Sequence, residues 1–235
     1  MGRIWAVSSG NGGVGKSTIA LSLAAGAAKK GKKTILLDAS GLSRSCDLIL
    51  GLESVVVLDM LDVLREQSGI ENALYPVARY EHLRFACASL YDDVPACEFS
   101  SIVLALNTLC DILVIDLPTG QVDLGREILR EDDRLLCVVR PDDASIRATE
   151  RLIARAAKAC MPSLVVNRMS KEKVRQNIQY TCEAVQSMLE CAAVACIPED
   201  ASIPLSEKQG RAAVECDGPA WNALDKLVHT LLLDK

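Results

Sequence analysis

The stretch Gly10-Asn11-Gly12-Gly13-Val14-Gly15-Lys16-Ser17-Thr18 constrains this chain more than any other. It fits G-x-x-x-x-G-K-[ST], follows the apolar run Ile4–Ser8, and opens an alanine- and leucine-rich helical pattern at 15–29. A strand that turns through glycines into a helix is the setting in which this motif binds phosphate. The loop's N–H groups then line a concave nest, and the helix N-terminus adds favourable potential for anionic oxygens. Lys16 is placed to reach the β- and γ-phosphates of a nucleotide, and the Ser17 hydroxyl to ligate Mg²⁺. A glycine turn that bound nothing would leave Lys16-Ser17 at that spacing unexplained.

The remaining pattern repeats the same alternation. Short apolar runs at Ile4–Ser8, Thr34–Asp38, Leu83–Ala88, Ile112–Asp116, Arg134–Val139, Ser163–Asn167 and Ala192–Ile197 predict strands. Helical patterns fall near 15–29, 54–67, 98–108, 122–130, 144–159, 172–189 and 219–233. Strands separated by helices predict an α/β fold, a mostly parallel twisted sheet with helices on both faces, as one domain over 1–235. Because the runs are continuously apolar rather than alternating, both faces of that sheet should be covered. Asp38, Asp116 and Asn167 end three of the strands, at the edge where open α/β sheets bind ligands.

Composition removes several function classes. A formal net charge of −5 and 3% aromatic residues leave neither a basic footprint nor stacking platforms, so no direct nucleic-acid contact is expected. No apolar run approaches the ~20 residues of a membrane-spanning helix. The start, Met1 to Val7, passes straight into the glycine loop and leaves no room for a signal peptide, so the expected compartment is the reducing cytoplasm. Ten cysteines are scattered from 46 to 216 without a C-x-x-C, and the histidines are His82 and His229 only. Zinc and iron–sulfur sites need clustered ligands, so these cysteines are expected to be free thiols behaving as small hydrophobes. The last helical pattern puts Trp221, Leu224, Leu227, Val228, Leu231 and Leu232 on one stripe, opposite little more than Asp225 and Lys226. A membrane-surface helix would carry a Lys- and Arg-rich polar face, so this one is expected to pack in the core, leaving no autonomous membrane anchor.

At this point the chain resembles the MinD/ParA family of deviant Walker A ATPases. Gly12 to Thr18 is similar to the family's phosphate loop, Leu36-Leu37-Asp38 to its switch I strand, and Asp47-Leu48-Ile49-Leu50-Gly51-Leu52 to the segment that follows. Asp111 to Gly120 resembles the switch II strand and turn, and Pro141 to Arg147 a loop at the nucleotide-bridged dimer interface. Val166-Asn167-Arg168 resembles the adenine-reading strand end, and Ile197-Pro198-Glu199-Asp200 the loop over the base. The resemblance implies ATP/ADP and Mg²⁺ as cofactors, with Asn167, Arg168 and Pro198 joining residues 10–18 around the nucleotide and Ser17, Asp38 and Asp116 around the metal.

Two positions depart from the family. Its loop begins with a lysine that crosses to the partner's nucleotide, and here that position is Asn11. A second aspartate that orients the attacking water is replaced by Ser40 in Asp38-Ala39-Ser40. Help of that kind is worth ~10²–10⁴ in rate, so hydrolysis is expected to be weak or absent and no residue is assigned a catalytic role. The family resemblance further implies a homodimer that positions a division site, pilus or flagellum through a protein partner in a polar or septal assembly, recruited by that partner to the inner face of the membrane. The alternative is a metabolic P-loop synthetase of the dethiobiotin or cobyrinate type, against which the same two positions count.

Overall fold

The computed structural model describes residues 1–41, 45–65, 68–88, 96–122, 128–156 and 162–233. Its sheet runs β1 (Arg3–Ser9), β2 (Thr34–Asp38), β3 (Tyr75–Pro76), β4 (Leu83–Cys87), β5 (Ile112–Asp116), β6 (Arg134–Val139), β7 (Ser163–Met169) and β8 (Ala193–Pro198) along the chain. In space the order is β3-β4-β2-β5-β1-β6-β7-β8, parallel throughout except for β3 against β4. The helices are α1 (Lys16–Lys29), α2 (Ser45–Leu50), α3 (Met60–Leu64), α4 (Ala96–Asn107), α5 (Asp143–Ala156), α6 (Lys171–Arg175), α7 (Cys182–Leu189), α8 (Ile203–Lys208) and α9 (Ala220–Leu233).

Successive strand residues feed two separate cores, which is why the strands read as unbroken apolar runs. Trp5, Val7, Leu36, Val114 and Val138 pack on one face under α1 and α9. Ile4, Ala6, Ile35, Leu37 and Leu113 pack on the other under α4, α5 and α7. Helix α1 is buried almost all round, lying between the sheet and α9, which explains its lack of a polar stripe. With β1 central, the loop that follows it opens at the C-terminal edge between β5 and β6.

Several expectations need correction. The helix expected near 54–67 forms only as α3, because Val55-Val56-Val57 are β-branched and the turn starts at a capping box between Asp59 and Asp62. The helix expected over 172–189 is two helices, α6 and α7, broken at Asn177, whose φ is 55°. Gln179 wins that competition by folding back: its Oε1 accepts from the Ser170 N–H at 2.8 Å and its Nε2 donates to the Arg168 carbonyl at 3.0 Å. Helices α2 and α8 and strand β3 were not anticipated. The pattern at 122–130 falls largely on 123–127, and the end of 144–159 on 157–161, both outside the described residues. Trp221 is off its expected stripe and 48% exposed, while Leu224, Leu227, Val228 and Leu231 are buried. Cys182 and Cys196 form a disulfide, against the expectation of free thiols, because the crossover from β7 through α7 returns the chain to β8 beside α7's first residue. Cys46, Cys110, Cys191 and Cys216 are buried thiols, as expected of small hydrophobes.

Candidate functional site

The phosphate loop is held from behind by contacts that leave its front open. A Cβ on Gly10 would lie 2.3 Å from the Ala148 backbone, so only glycine lets the loop press onto α5. Gly15 has φ 93°, and a Cβ there would meet the Asn167 Nδ2 at 2.4 Å. In contrast, nothing lies within 4 Å of where a Cβ would stand on Gly12 or Gly13. That bare stretch of backbone is open to an approaching anion. A cavity of about 280 Å³ lies in front of it, reached also by Lys16, Ser17, Ser40 and Thr119.

Beneath the loop the parallel register sets Asp38 of β2 beside Asp116 of β5, both buried. Lys16 is buried as well, and its ammonium donates to Asp116 Oδ1. Asp38 Oδ1 accepts from both the N–H and the hydroxyl of Ser40, at 2.9 and 2.6 Å, and Oδ2 accepts from the Cys46 N–H at 3.2 Å. Burial raises the pKa of Asp116 above the usual carboxylate range, against the pull of Lys16, and Asp38 pushes it the same way. Two buried carboxylates answered by one lysine leave this pocket short of positive charge. Asp38, Cys46 and Asp116 bring ligand atoms within 4.8 Å of one another. Burial, then the neighbouring Asp38 and Asp116, push the Cys46 thiol well up, so it stays protonated and the hard donors are the two carboxylates and Ser17. That donor set fits Mg²⁺, which binds through one or two carboxylates together with substrate phosphates.

The strand-end residues are placed around a second cavity of about 380 Å³, bordered by Asn167, Arg168 and Pro198. Asn167 Nδ2 donates to the Val14 carbonyl at 2.8 Å, so the amide buttresses the loop while its second N–H and its carbonyl oxygen can still meet a base. Asn11 also turns inward, its Oδ1 accepting from the Ser145 hydroxyl of α5 at 3.1 Å. Ser45 and Glu207, which border these cavities, were not anticipated. Glu207 meets the loop across 189 positions of sequence, a separation no local pattern can reveal.

Residues 5–214 match the model of the CobQ/CobB/MinD/ParA nucleotide binding domain. The chain belongs to this MinD/ParA family. Among curated members, the septum site-determining protein MinD of Synechocystis sp. is 33% identical over 91% of this chain and 82% of that one. The Escherichia coli (strain K12) protein of the same description is 30% identical over 99% and 92%. The fold is similar to that of the MinC:MinD cell division protein complex of Aquifex aeolicus, with TM-score 0.88 and 27% identity over 99% of this chain and 96% of that chain. As a MinD/ParA family member the chain is a nucleotide-binding protein, and these likenesses do not favour the synthetase alternative.

Proposed function

We propose that this protein is an ATP- and Mg²⁺-binding, homodimeric positioning factor of the MinD type with weak or absent hydrolysis. The observation that carries this reading is the open glycine cradle above a buried Lys16, Asp38 and Asp116. The loop's N–H groups bind the phosphates, and Lys16, now on Asp116, swings to share its charge with the terminal phosphates. Ser17, Asp38 and Asp116 would hold Mg²⁺, which would supply the positive charge this pocket lacks. Asn11 and Ser40 stand where the charge-bridging and water-orienting groups would be, respectively, so the site binds ATP but cleaves it slowly. A nucleotide-governed surface that persists suits an assembly factor for a division site, pilus or flagellum. Relatives named as septum site determinants support this, as does the Aquifex chain's complex with MinC. Recruitment to a membrane is assigned to a protein partner, because α9 spends its apolar stripe on the core and no described helix is long and apolar enough to cross a bilayer.

Calorimetry with Mg-ATP tests the reading. Lys16→Ala should abolish binding, but removing it also leaves two buried carboxylates uncompensated, a change that costs ~3–5 kcal/mol when a buried pair is broken. Gly12→Glu is the second variant: its side chain has open space yet sets a carboxylate at the cradle. It should fold normally and lose ATP. Wild-type affinity in Gly12→Glu would overturn the proposal.

A further inference from the structure

The two cavities adjoin along a seam. Gly15, Thr18 and Arg168 border both, so a nucleotide with phosphates in one and base in the other must lay its ribose across these residues. Glu207, on α8, stands at that seam. Its Oε1 accepts from the Thr18 hydroxyl at 2.6 Å, which fixes the carboxylate against the first turn of α1. Its other oxygen has no hydrogen-bond partner among the described residues.

The other acids at the second cavity are already used. Glu199 is held by Lys173 at 2.6 Å. Asp200 caps α9, accepting from the Ala220 N–H at 2.8 Å and from the Ser202 hydroxyl at 2.7 Å. An ionised carboxylate is an acceptor only. The phosphates are anionic acceptors and cannot serve it, whereas ribose offers two hydroxyl donors at the very place where phosphate and base sites meet.

We propose that Glu207 is a specificity-determining residue that accepts a hydrogen bond from a ribose hydroxyl of the bound nucleotide. The proposal rests on the nucleotide reading above and deepens it. A hydrogen bond to a charged acceptor discriminates strongly, because the analogue lacking the hydroxyl leaves the second carboxylate oxygen covered by the nucleotide but without a donor. Any repulsion between Glu207 and the phosphates is the same for ribo- and deoxyribonucleotides and cancels in their ratio.

The test is equilibrium binding of Mg-ATP, its 2′-deoxy and 3′-deoxy analogues, and Mg-GTP to the full chain, to Glu207→Ala and to Glu207→Gln. Wild type should bind at least one deoxy analogue about tenfold or more weakly than ATP. In Glu207→Ala that ratio should collapse to near one, and Glu207→Gln, whose carbonyl still accepts, should retain part of it. A wild type blind to both deoxy changes, or discrimination that survives in Glu207→Ala, overturns the inference while leaving ATP binding intact. A Glu207→Ala variant that alters the ATP-to-GTP ratio but not the ribose ratios overturns it too, placing the carboxylate on the base. Failure of wild type to bind ATP at all overturns the nucleotide reading and this one with it.

Discussion

At position 11 a lysine would carry its charge clear of the loop, whereas the short Asn11 side chain docks on Ser145 of its own α5. Ser40 likewise turns toward its neighbour, giving both its N–H and its hydroxyl to Asp38 Oδ1 instead of offering a carboxylate to water. Each departure is thus absorbed by a contact within the chain. Restoring both groups, Asn11→Lys with Ser40→Asp, should raise the turnover of ATP by ~10² or more, since charge and water positioning act in one step. Single-turnover phosphate release from wild type, the two single variants and the double variant checks this. A double variant no faster than wild type would mean that neither position limits hydrolysis. The glycines, Lys16 and Ser17 were legible in the sequence because the phosphate loop is local and its spacing is fixed by backbone geometry. The docking of Asn11 and the donation of Asn167 to Val14 were not, because each depends on a partner more than a hundred residues away.

Between elements, Glu215 ties its own turn to the end of α1 and to the Arg79-Tyr80 segment. It accepts from Lys29 at the end of α1 at 2.7 Å, from Arg79 at 2.9 Å and from the Tyr80 hydroxyl at 2.8 Å. Burial by itself would raise the Glu215 pKa, but the hydrogen bonds from Lys29, Arg79 and Tyr80 prevail and hold it at about 2. A carboxylate whose folded pKa is depressed contributes stability that is present above its unfolded pKa and is lost as pH falls through the folded value. The advantage of wild type over Glu215→Gln in urea unfolding should therefore be full near neutral pH and above about pH 5. It should shrink steadily toward pH 2, and at neutral pH the variant should cost about 1–2 kcal/mol. An advantage independent of pH would show that Glu215 acts through packing alone. Elements with strong apolar runs, such as β1, β2, β5 and β6, were legible because burial on both faces leaves an unmistakable signature. Helices α2 and α8 are six residues each, too short for a periodic stripe to declare itself. The break between α6 and α7 escaped because side-chain bonds from Gln179 outcompete a helical pattern that continues across it.

For the whole molecule, the expected dimer follows from what shares the C-terminal edge of the sheet with the phosphate loop. The turn Pro118-Thr119-Gly120 is pinned there by the Gly120 N–H on the Ser9 carbonyl at 2.8 Å and by Arg155 on the Gly120 carbonyl at 3.0 Å. The start of α5 stands beside the phosphate loop, where Ser145 meets Asn11, with Asp143 held by the Tyr180 hydroxyl at 2.6 Å and Arg147 exposed. Rigid turns, an open glycine loop and an unburied arginine on one side form a patch that can meet its own copy about a two-fold axis, so that each contact occurs twice. Asn11, docked in its own chain, supplies no charge to the partner's nucleotide. The dimer should therefore depend on contacts between these protein surfaces more than on ATP. Each chain carries a formal charge of −5, so mutual repulsion opposes association and added salt should strengthen the dimer. Light scattering at micromolar concentration should give twice the 25.3 kDa chain mass with or without Mg-ATP. Arg147→Glu should return the mass to that of one chain while leaving ATP affinity unchanged. A monomer under both conditions would remove the dimer from the proposal, and a dimer that forms only with ATP would show that Asn11 does not uncouple association from the nucleotide.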